Sequence, residues 1–376
     1  MNHPPDYADY AVIHPARWRR WWVVLPVLLF LSSMTTILLW PEGKPTRTPL
    51  FWFWSVELPL LCWLLAVALR ALVWLQGTDN RETYYAETSR ALDAWWQKRS
   101  QALPVETVLL VSPVGDETTE HLALLMQPPD APSALMDAGG NAVLRCPLVL
   151  SGTLSRPAML AAYLARRLVA HLHRSGETRL IGHLCWLGDD ESLGAFREVL
   201  TTAGIVLPEE NTRLMALNGI DNVIDIMAEN AFLLCAGSGE GLPADARVAG
   251  EAAFAWLCSP QAPVLLHRSE AWPLLPGETA AQVVAQLSRY ARLIDAPENV
   301  IAADKAAMDA LLDGGWSAID HVLAPWLGDA GNITPFTLCS LALLSALNGQ
   351  SCGWTASLME SQFITGVCVP RGNLPH

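Results

Sequence analysis

Two long apolar runs open the chain, and beyond them short apolar segments alternate with amphipathic ones up to the C-terminus. WWVVLPVLLFLSSMTTILLW (Trp21 to Trp40) carries no charge over its whole length, enough to cross a hydrocarbon core of roughly 30 Å. LFWFWSVELPLLCWLLAVALRALVWL (Leu50 to Leu75) follows, long enough to span with tilt and with tryptophans at both ends. Its Glu57 and Arg70 lie near the two ends, where long side chains reach the interface; a proton or ion role is the alternative. The first run is longer than the apolar core of a signal peptide and no small-residue cleavage site follows, so it is expected to stay in the mature chain.

The segment NRETYYAETSRALDAWWQKRSQAL has helical period, with Ala91, Leu92, Trp95 and Trp96 on or near one side. VETVLLVSP (Val105 to Pro113), bounded by prolines, reads as a buried strand. Further strands are expected in RLIGHLCWLG, NAFLLCAG, EAAFAWLCS, APVLLHR and NVIAADK. Helices are expected in SRPAMLAAYLARRLVAHLHRSG, capped by Ser155 and ended by Gly176, and in DESLGAFREVLTTAG, ended by Gly204. Alternating strand and helix predicts an α/β domain of mostly parallel sheet. The expected division is residues 1–20 as a tail, 21–76 as a transmembrane hairpin, 77–104 as an amphipathic linker helix and 105–376 as the α/β domain.

Charge adds an orientation. Arg17, Arg19 and Arg20 precede the first span, whereas the connection PEGKPTRTP has only Lys44 and Arg47. Basic flanks mark the cytoplasmic side, so both termini are expected in the cytoplasm, at the inner membrane if the host is a bacterium. The formal net charge of −13 lies mostly beyond the hairpin and argues against nucleic acid as a partner. Eight cysteines are scattered singly, which signals neither a zinc site nor a disulfide framework and suits a reducing compartment. No cofactor is expected. AGSGEG (Ala236 to Gly241) lacks the lysine and third glycine of nucleotide loops and reads as a flexible connection between strands. His171 and His173, two residues apart on a helix, cannot share one metal ion. GDDES (Gly188 to Ser192) reads as an acidic helix cap through Asp189 or Asp190.

A repeat is also visible. A helix, a proline-glutamate turn and a strand recur in DESLGAFREVLTTAGIVLPEENTRLMALNG and in AAQVVAQLSRYARLIDAPENVIAADKAAMDALL. With these two halves in view, three stretches resemble the thiolase-like fold of ketoacyl synthases and thiolases. Gly250 with EAAFAWLCSP is similar to the Gly-Glu-Gly-Ala strand of that family. The helix before Pro297-Glu298-Asn299 and NVIAADK resembles the opening of its second half. LGDAGNITPFTLCSLALLSALNG resembles the Ile-Gly-His turn of the synthases and its long buried helix.

The resemblance implies a pseudo-duplicated, mostly parallel α/β domain behind the hairpin, pairing of two copies through a sheet edge, and a site at the glycine turn formed by Gly328, Asp329, Gly331 and Asn332. In the synthases a cysteine thiolate at the start of a buried helix is acylated, with histidines and backbone donors stabilising the developing charge. The histidine of the turn falls here at Asp329, the His-Gly-Thr-Gly-Thr segment has no counterpart, and no Ala-Cys-Ser-Ser run opens a helix. Cys146, Cys185 and Cys235 read as small buried hydrophobes. The expected function is non-catalytic protein binding at the membrane. The layout also resembles accessory inner-membrane proteins of bacterial type VI secretion, which recruit components or effectors. The alternative is a membrane-associated acyl-transfer enzyme with an unrecognised cysteine.

Overall fold

The computed structural model describes residues 3–15, 17–137, 139–149, 152–175, 181–216, 219–227, 232–242, 247–273, 279–312, 314–319, 321–359 and 362–373. It divides into two compact units, Pro4–Trp95 and, together with Met1–His3, Trp96–His376.

The first unit is a helical hairpin. Helix α1 (Trp18–Leu39) and helix α2 (Pro49–Arg99) are both long and apolar enough to cross a membrane, each containing a window of mean hydropathy 2.2. Where they pack, the hydroxyls of Ser32 and Ser33 donate to the carbonyls of Trp54 and Ser55 at 3.1 and 3.3 Å. These two carbonyls lie in a π-helical turn, Phe53–Glu57, whose widened backbone takes partners from the facing helix. Trp63 Nε1 donates to the Trp21 carbonyl at 3.1 Å. No break separates the second apolar run from the amphipathic segment after it. Nothing between Gln76 and Arg99 is a proline, so the helix continues across the boundary expected at residue 76.

The second unit contains the last turn of α2 and all of the sheet. The strands are β1 (Ala102–Val111), β2 (Leu135–Met136), β3 (Ala142–Leu144), β4 (His183–Leu187), β5 (Thr212–Arg213), β6 (Leu233–Glu240), β7 (Ala249–Cys258), β8 (Val264–His267), β9 (Glu270–Pro273), β10 (Asn299–Ala302), β11 (Cys352–Met359) and β12 (Gln362–Pro370). The helices are α3 (Thr118–Met126), α4 (Arg156–Ser175), α5 (Asp190–Thr202), α6 (Gly219–Ile226), α7 (Ala280–Tyr290), α8 (Lys305–Leu312), α9 (Ala324–Leu327) and α10 (Thr334–Leu347). The main path of the sheet runs β10-β11-β12-β8-β1-β7-β6-β4-β5.

Helices α4 and α5 cover one face of β4, β6 and β7, burying Leu160, Leu164 and Phe196 against Trp186 and Leu234. Helix α10 packs on β7 and β1 and also on β11 and β12. It is therefore covered on both sides, and every residue from Thr334 to Ala346 is buried, as an all-round apolar helix requires. Its Phe336 ring stacks on Phe254 and Trp256 at 5.1 and 5.6 Å. Helices α7 and α8 lie against β9 to β12.

The internal repeat is real in topology but shifted from the sequence match. In β4-α5-β5-α6-β6-β7, β4 pairs parallel with β5 and β6, and β6 pairs antiparallel with β7. In the second half β10 pairs parallel with β11 and with a bridge at Val322, and β11 pairs antiparallel with β12. So α5 matches α8 rather than α7, and α6 matches α10. The shared proline-glutamate turns are ordinary turn chemistry at unrelated places.

Several local expectations change. The first strand starts at Ala102, three residues before the expected Val105. AGSGEG is no flexible connection: its first five residues belong to β6, where the bare Gly237 lets Leu187 and Phe254 pack close. Asp189 caps α5 by accepting from Ser192 N, as GDDES implied. Ser155 precedes α4, but its hydroxyl has no hydrogen-bond partner, so it does not cap by side chain. Gly176 lies outside the described residues. The β11–β12 hairpin is masked in sequence by Gly, Thr and Ser, which the core satisfies internally: Thr355 and Thr365 share a 3.1 Å hydroxyl bond, and Trp272 Nε1 donates to Thr365 Oγ1.

Two buried histidines make the fold acid-sensitive. Burial holds both His121, which bonds Ser112 Oγ at 3.0 Å, and His267 down to about 4. A histidine whose folded value lies below its unfolded one stabilises the fold at high pH, and this stability is lost as pH falls from about 6.5 towards 4. Each site is expected to cost up to about 3 kcal/mol by pH 4. Chemical unfolding at pH 7 and pH 4.5 reads the loss, and His267→Phe, which removes one titrating ring, should leave a visibly shallower dependence than wild type.

Candidate functional site

The turn before α10 is built by two glycines in the left-handed region, Gly328 at φ +64 and Gly331 at φ +66. Between them the backbone of Asp329 joins the sheet. Asp329 N donates to Val248 O, and Gly250 N donates to Asp329 O, both at 2.9 Å. This approach is so close that a methyl group on Gly241 would overlap the Asp329 carbonyl, and one on Gly250 the Leu327 carbonyl. The Gly250-Glu251 stretch and the glycine turn, read separately in the sequence, are one backbone contact.

The Asp329 carboxylate braces the turn from within. Oδ1 accepts from Gly331 N at 2.8 Å and from Thr334 Oγ1 at 3.2 Å, and Thr334 Oγ1 accepts from Ala330 N. Oδ2 pairs with Arg247 Nη1 at 3.1 Å. The other terminal nitrogen of Arg247 pairs with Asp304 Oδ2 at 3.3 Å. Asp304 Oδ1 accepts from Ala307 N, closing the first turn of α8, and from Ser357 Oγ at 2.9 Å. One guanidinium thus bridges two carboxylates at the C-terminal ends of β10 and β11, the side of an open α/β sheet on which ligands sit. A cavity of about 450 Å³ opens there, with Arg247, Asp304, Lys305, Asp329, Thr334 and Ser357 as its polar lining.

Of the four residues expected at the turn, Gly328 and Asp329 line this cavity. Gly331 contributes its N–H to Asp329, and Asn332 is exposed. Sequence reasoning did not find Arg247, Asp304, Lys305 or Ser357. Asp304 carried a signal, an aspartate just before the helical pattern KAAMDALL; Arg247 carried none.

Nucleophiles are the weak part of this site. Seven cysteines are buried, the eighth is Cys62 in the hairpin, and none lines the cavity. Burial raises the thiols: Cys185 is pushed up to about 12, and Cys146, Cys235, Cys258, Cys339 and Cys352 lie well above the ordinary value. Cys146 N donates to the fully buried Glu251 carboxylate, which Arg145 and Arg156 also hold. Burial alone would raise Glu251, but hydrogen bonds from the two arginines keep it below the ordinary carboxylate value. The start of α6, which matches α10 in the other half, also lacks a thiol: the chain around it reads LMALNGID. There Gly219 abuts the ring of Phe336, so the two matching helices meet at their starts. Among the described residues no group of three or more His, Cys, Asp or Glu side chains could hold a metal ion.

No protein-family profile and no curated protein matches the sequence. Solved structures do match. The ishigamide ketosynthase/chain length factor aligns with a TM-score of 0.52 at 14% identity, over 71% of this chain and 99% of that one. A ketosynthase in complex with its chain length factor from Xenorhabdus doucetiae aligns at 0.48 and 10% identity, over 72% and 98%. The peroxisomal 3-ketoacyl-CoA thiolase of Saccharomyces cerevisiae aligns at 0.44 and 9% identity, over 73% and 99%. The domain has a thiolase-like α/β fold, as the resemblance of its motifs implied, but its sheet is mixed rather than mostly parallel: β6, β7, β1, β8 and β12 pair antiparallel through its middle.

Proposed function

We propose that the chain is a membrane-anchored accessory protein whose thiolase-like domain binds other proteins and performs no acyl transfer. The observation that carries this reading is the start of α6 and of α10: one has no thiol, and the other holds a carboxylate already engaged by Gly331, Thr334 and Arg247. An engaged carboxylate cannot serve as donor to a thioester oxyanion. The apolar helices supply the anchor, and the arginines at the start of α1 support a cytoplasmic location for both termini. The hairpin placed ahead of such a domain supports a role resembling that of the inner-membrane accessory proteins of type VI secretion, recruiting components or effectors. Pairing of two copies belongs to the same reading.

Capture of the detergent-solubilised chain with its bound proteins, identified by mass spectrometry, tests the binding role. Incubation with acyl thioesters tests the chemistry: an acyl group found on any cysteine would overturn the non-catalytic reading. Asp329 gives a sharper test. Asp329→Asn keeps an acceptor for Gly331 N–H and gives up the half-exposed pairing with Arg247, so a loss of at most about 1 kcal/mol is expected, with partner binding retained. Asp329→Ala removes the acceptor as well and should cost on the order of 1 kcal/mol more. A stable Asp329→Asn protein that no longer functions would point to proton chemistry at this carboxylate.

A further inference from the structure

The N-terminal tail runs beside α2 in a register that gathers arginines at one level. Trp63, Arg70, Gly77 and Tyr84 recur every seven residues, which places them on one side of the helix. Three of the four touch the tail or α1. Trp63 bonds the Trp21 carbonyl and packs its ring 5.6 Å from Trp22. Gly77 takes the Ile13 side chain against its bare Cα. Tyr84 donates to Ala8 O at 2.7 Å and packs on Tyr10. Arg70, between Trp63 and Gly77, therefore faces the stretch between Ile13 and Trp21, which holds Arg17, Arg19 and Arg20.

Four guanidiniums thus share one end of the apolar hairpin. Among the described residues none of them has a carboxylate partner, in a chain whose net charge is −13. Like charges gathered without acids repel one another weakly in water and more strongly at a membrane surface, where an anion offsets the repulsion. A cavity of about 720 Å³ opens beside Arg17, Arg19 and Arg20, walled by Trp18, Val23 and Val24. The tryptophans Trp21 and Trp40 stand about 28 Å apart at roughly 1.5 Å per residue, the thickness of a hydrocarbon core, so the arginines fall at headgroup depth.

We propose that Arg17, Arg19, Arg20 and Arg70 form a binding site for anionic phospholipid headgroups, with guanidiniums on the phosphate oxygens and the tryptophans seated against the upper acyl chains. A lipid rather than a free phosphate is the ligand, because the site continues directly into the apolar span. This rests on the reading of the hairpin as a membrane anchor.

The test uses the full chain reconstituted into phosphatidylcholine vesicles containing a minor fraction of phosphatidylglycerol. Flotation reports insertion, and spin-labelled lipids report which headgroup is enriched at the protein surface. The wild type should insert and enrich phosphatidylglycerol roughly fivefold or more, with the preference falling as salt is raised. Arg17→Gln with Arg70→Gln should insert equally and lose most of the enrichment. The charge-matched pair Arg81→Gln with Arg90→Gln, farther along α2, should keep it. Insertion without headgroup preference, or equal loss in the two double variants, overturns the site while leaving the anchor intact. Failure of the wild type to float with vesicles of any composition overturns the anchor and the site together.

Discussion

Replacing Arg99 by alanine is expected to remove about 3–5 kcal/mol of stability from the domain, the cost of leaving a buried charge without its partner. Arg99 ends α2 and is buried, with Nη1 2.8 Å from Asp221 and Nη2 2.5 Å from Glu270, whose side chain is 0% exposed. Its Nε donates to the Tyr290 hydroxyl at 3.1 Å, and its guanidinium also stands over the Tyr290 ring. Burial by itself would lower its pKa, but the Glu270 and Asp221 carboxylates hold it above the ordinary value, so the charge is fixed. In Arg99→Ala, Glu270 keeps the neutral donors Gln286 and Tyr290 but loses the guanidinium charge beside it. Adding Glu270→Gln to that variant removes the stranded charge and should recover a large part of the loss. Unfolding of the detergent-solubilised chain measures both. A drop of less than about 1 kcal/mol for Arg99→Ala would show that water reaches Glu270 and that the network contributes little.

Gly250→Ala should be nearly as damaging, with a loss of roughly 3 kcal/mol or more, because the added methyl meets a backbone carbonyl rather than a side chain that can rotate away. The strand β7 and the glycine turn would have to separate, breaking the bond from Gly250 N to Asp329 O. The cavity lies on that turn, so its lining should be displaced together with the loss of stability. Gly194→Ala is the control. It lies within α5, has open space where the methyl would go, and should raise helix stability slightly. Equal behaviour of the two variants would disprove the close contact.

Much of the architecture was legible along the chain. The two long apolar helices, the strands β4, β6, β7, β8 and β10, and the caps of α5 all depend on residues within a few positions of one another. The motif resemblance reached the fold because Gly250 and the turn at Gly328 mark places where the backbone must come close, and only glycine permits that. The β11–β12 hairpin stayed hidden. Its threonines and tryptophan satisfy one another across strands, so a stretch that looks polar in one dimension is buried in three.

The pairings that give the molecule its chemistry have another origin. Arg247 and Asp329 are 82 residues apart, and Arg99 and Glu270 are 171 apart. No periodicity or cap relates such residues, because their attraction becomes significant only after the fold has brought them within a few ångströms. The amino-acid order by itself determined the apolar spans, the alternation of strand and helix, and the absence of an Ala-Cys-Ser-Ser start to any helix. Tertiary structure alone decided that Asp304 and Asp329 share one arginine at the cavity, that α5 matches α8 in the repeat, and that Gly77 and Tyr84 of α2 meet the tail at Ile13 and Ala8. Local order follows from interactions between near neighbours in the chain, whereas a site is a coincidence in space that only the packed core can hold in place.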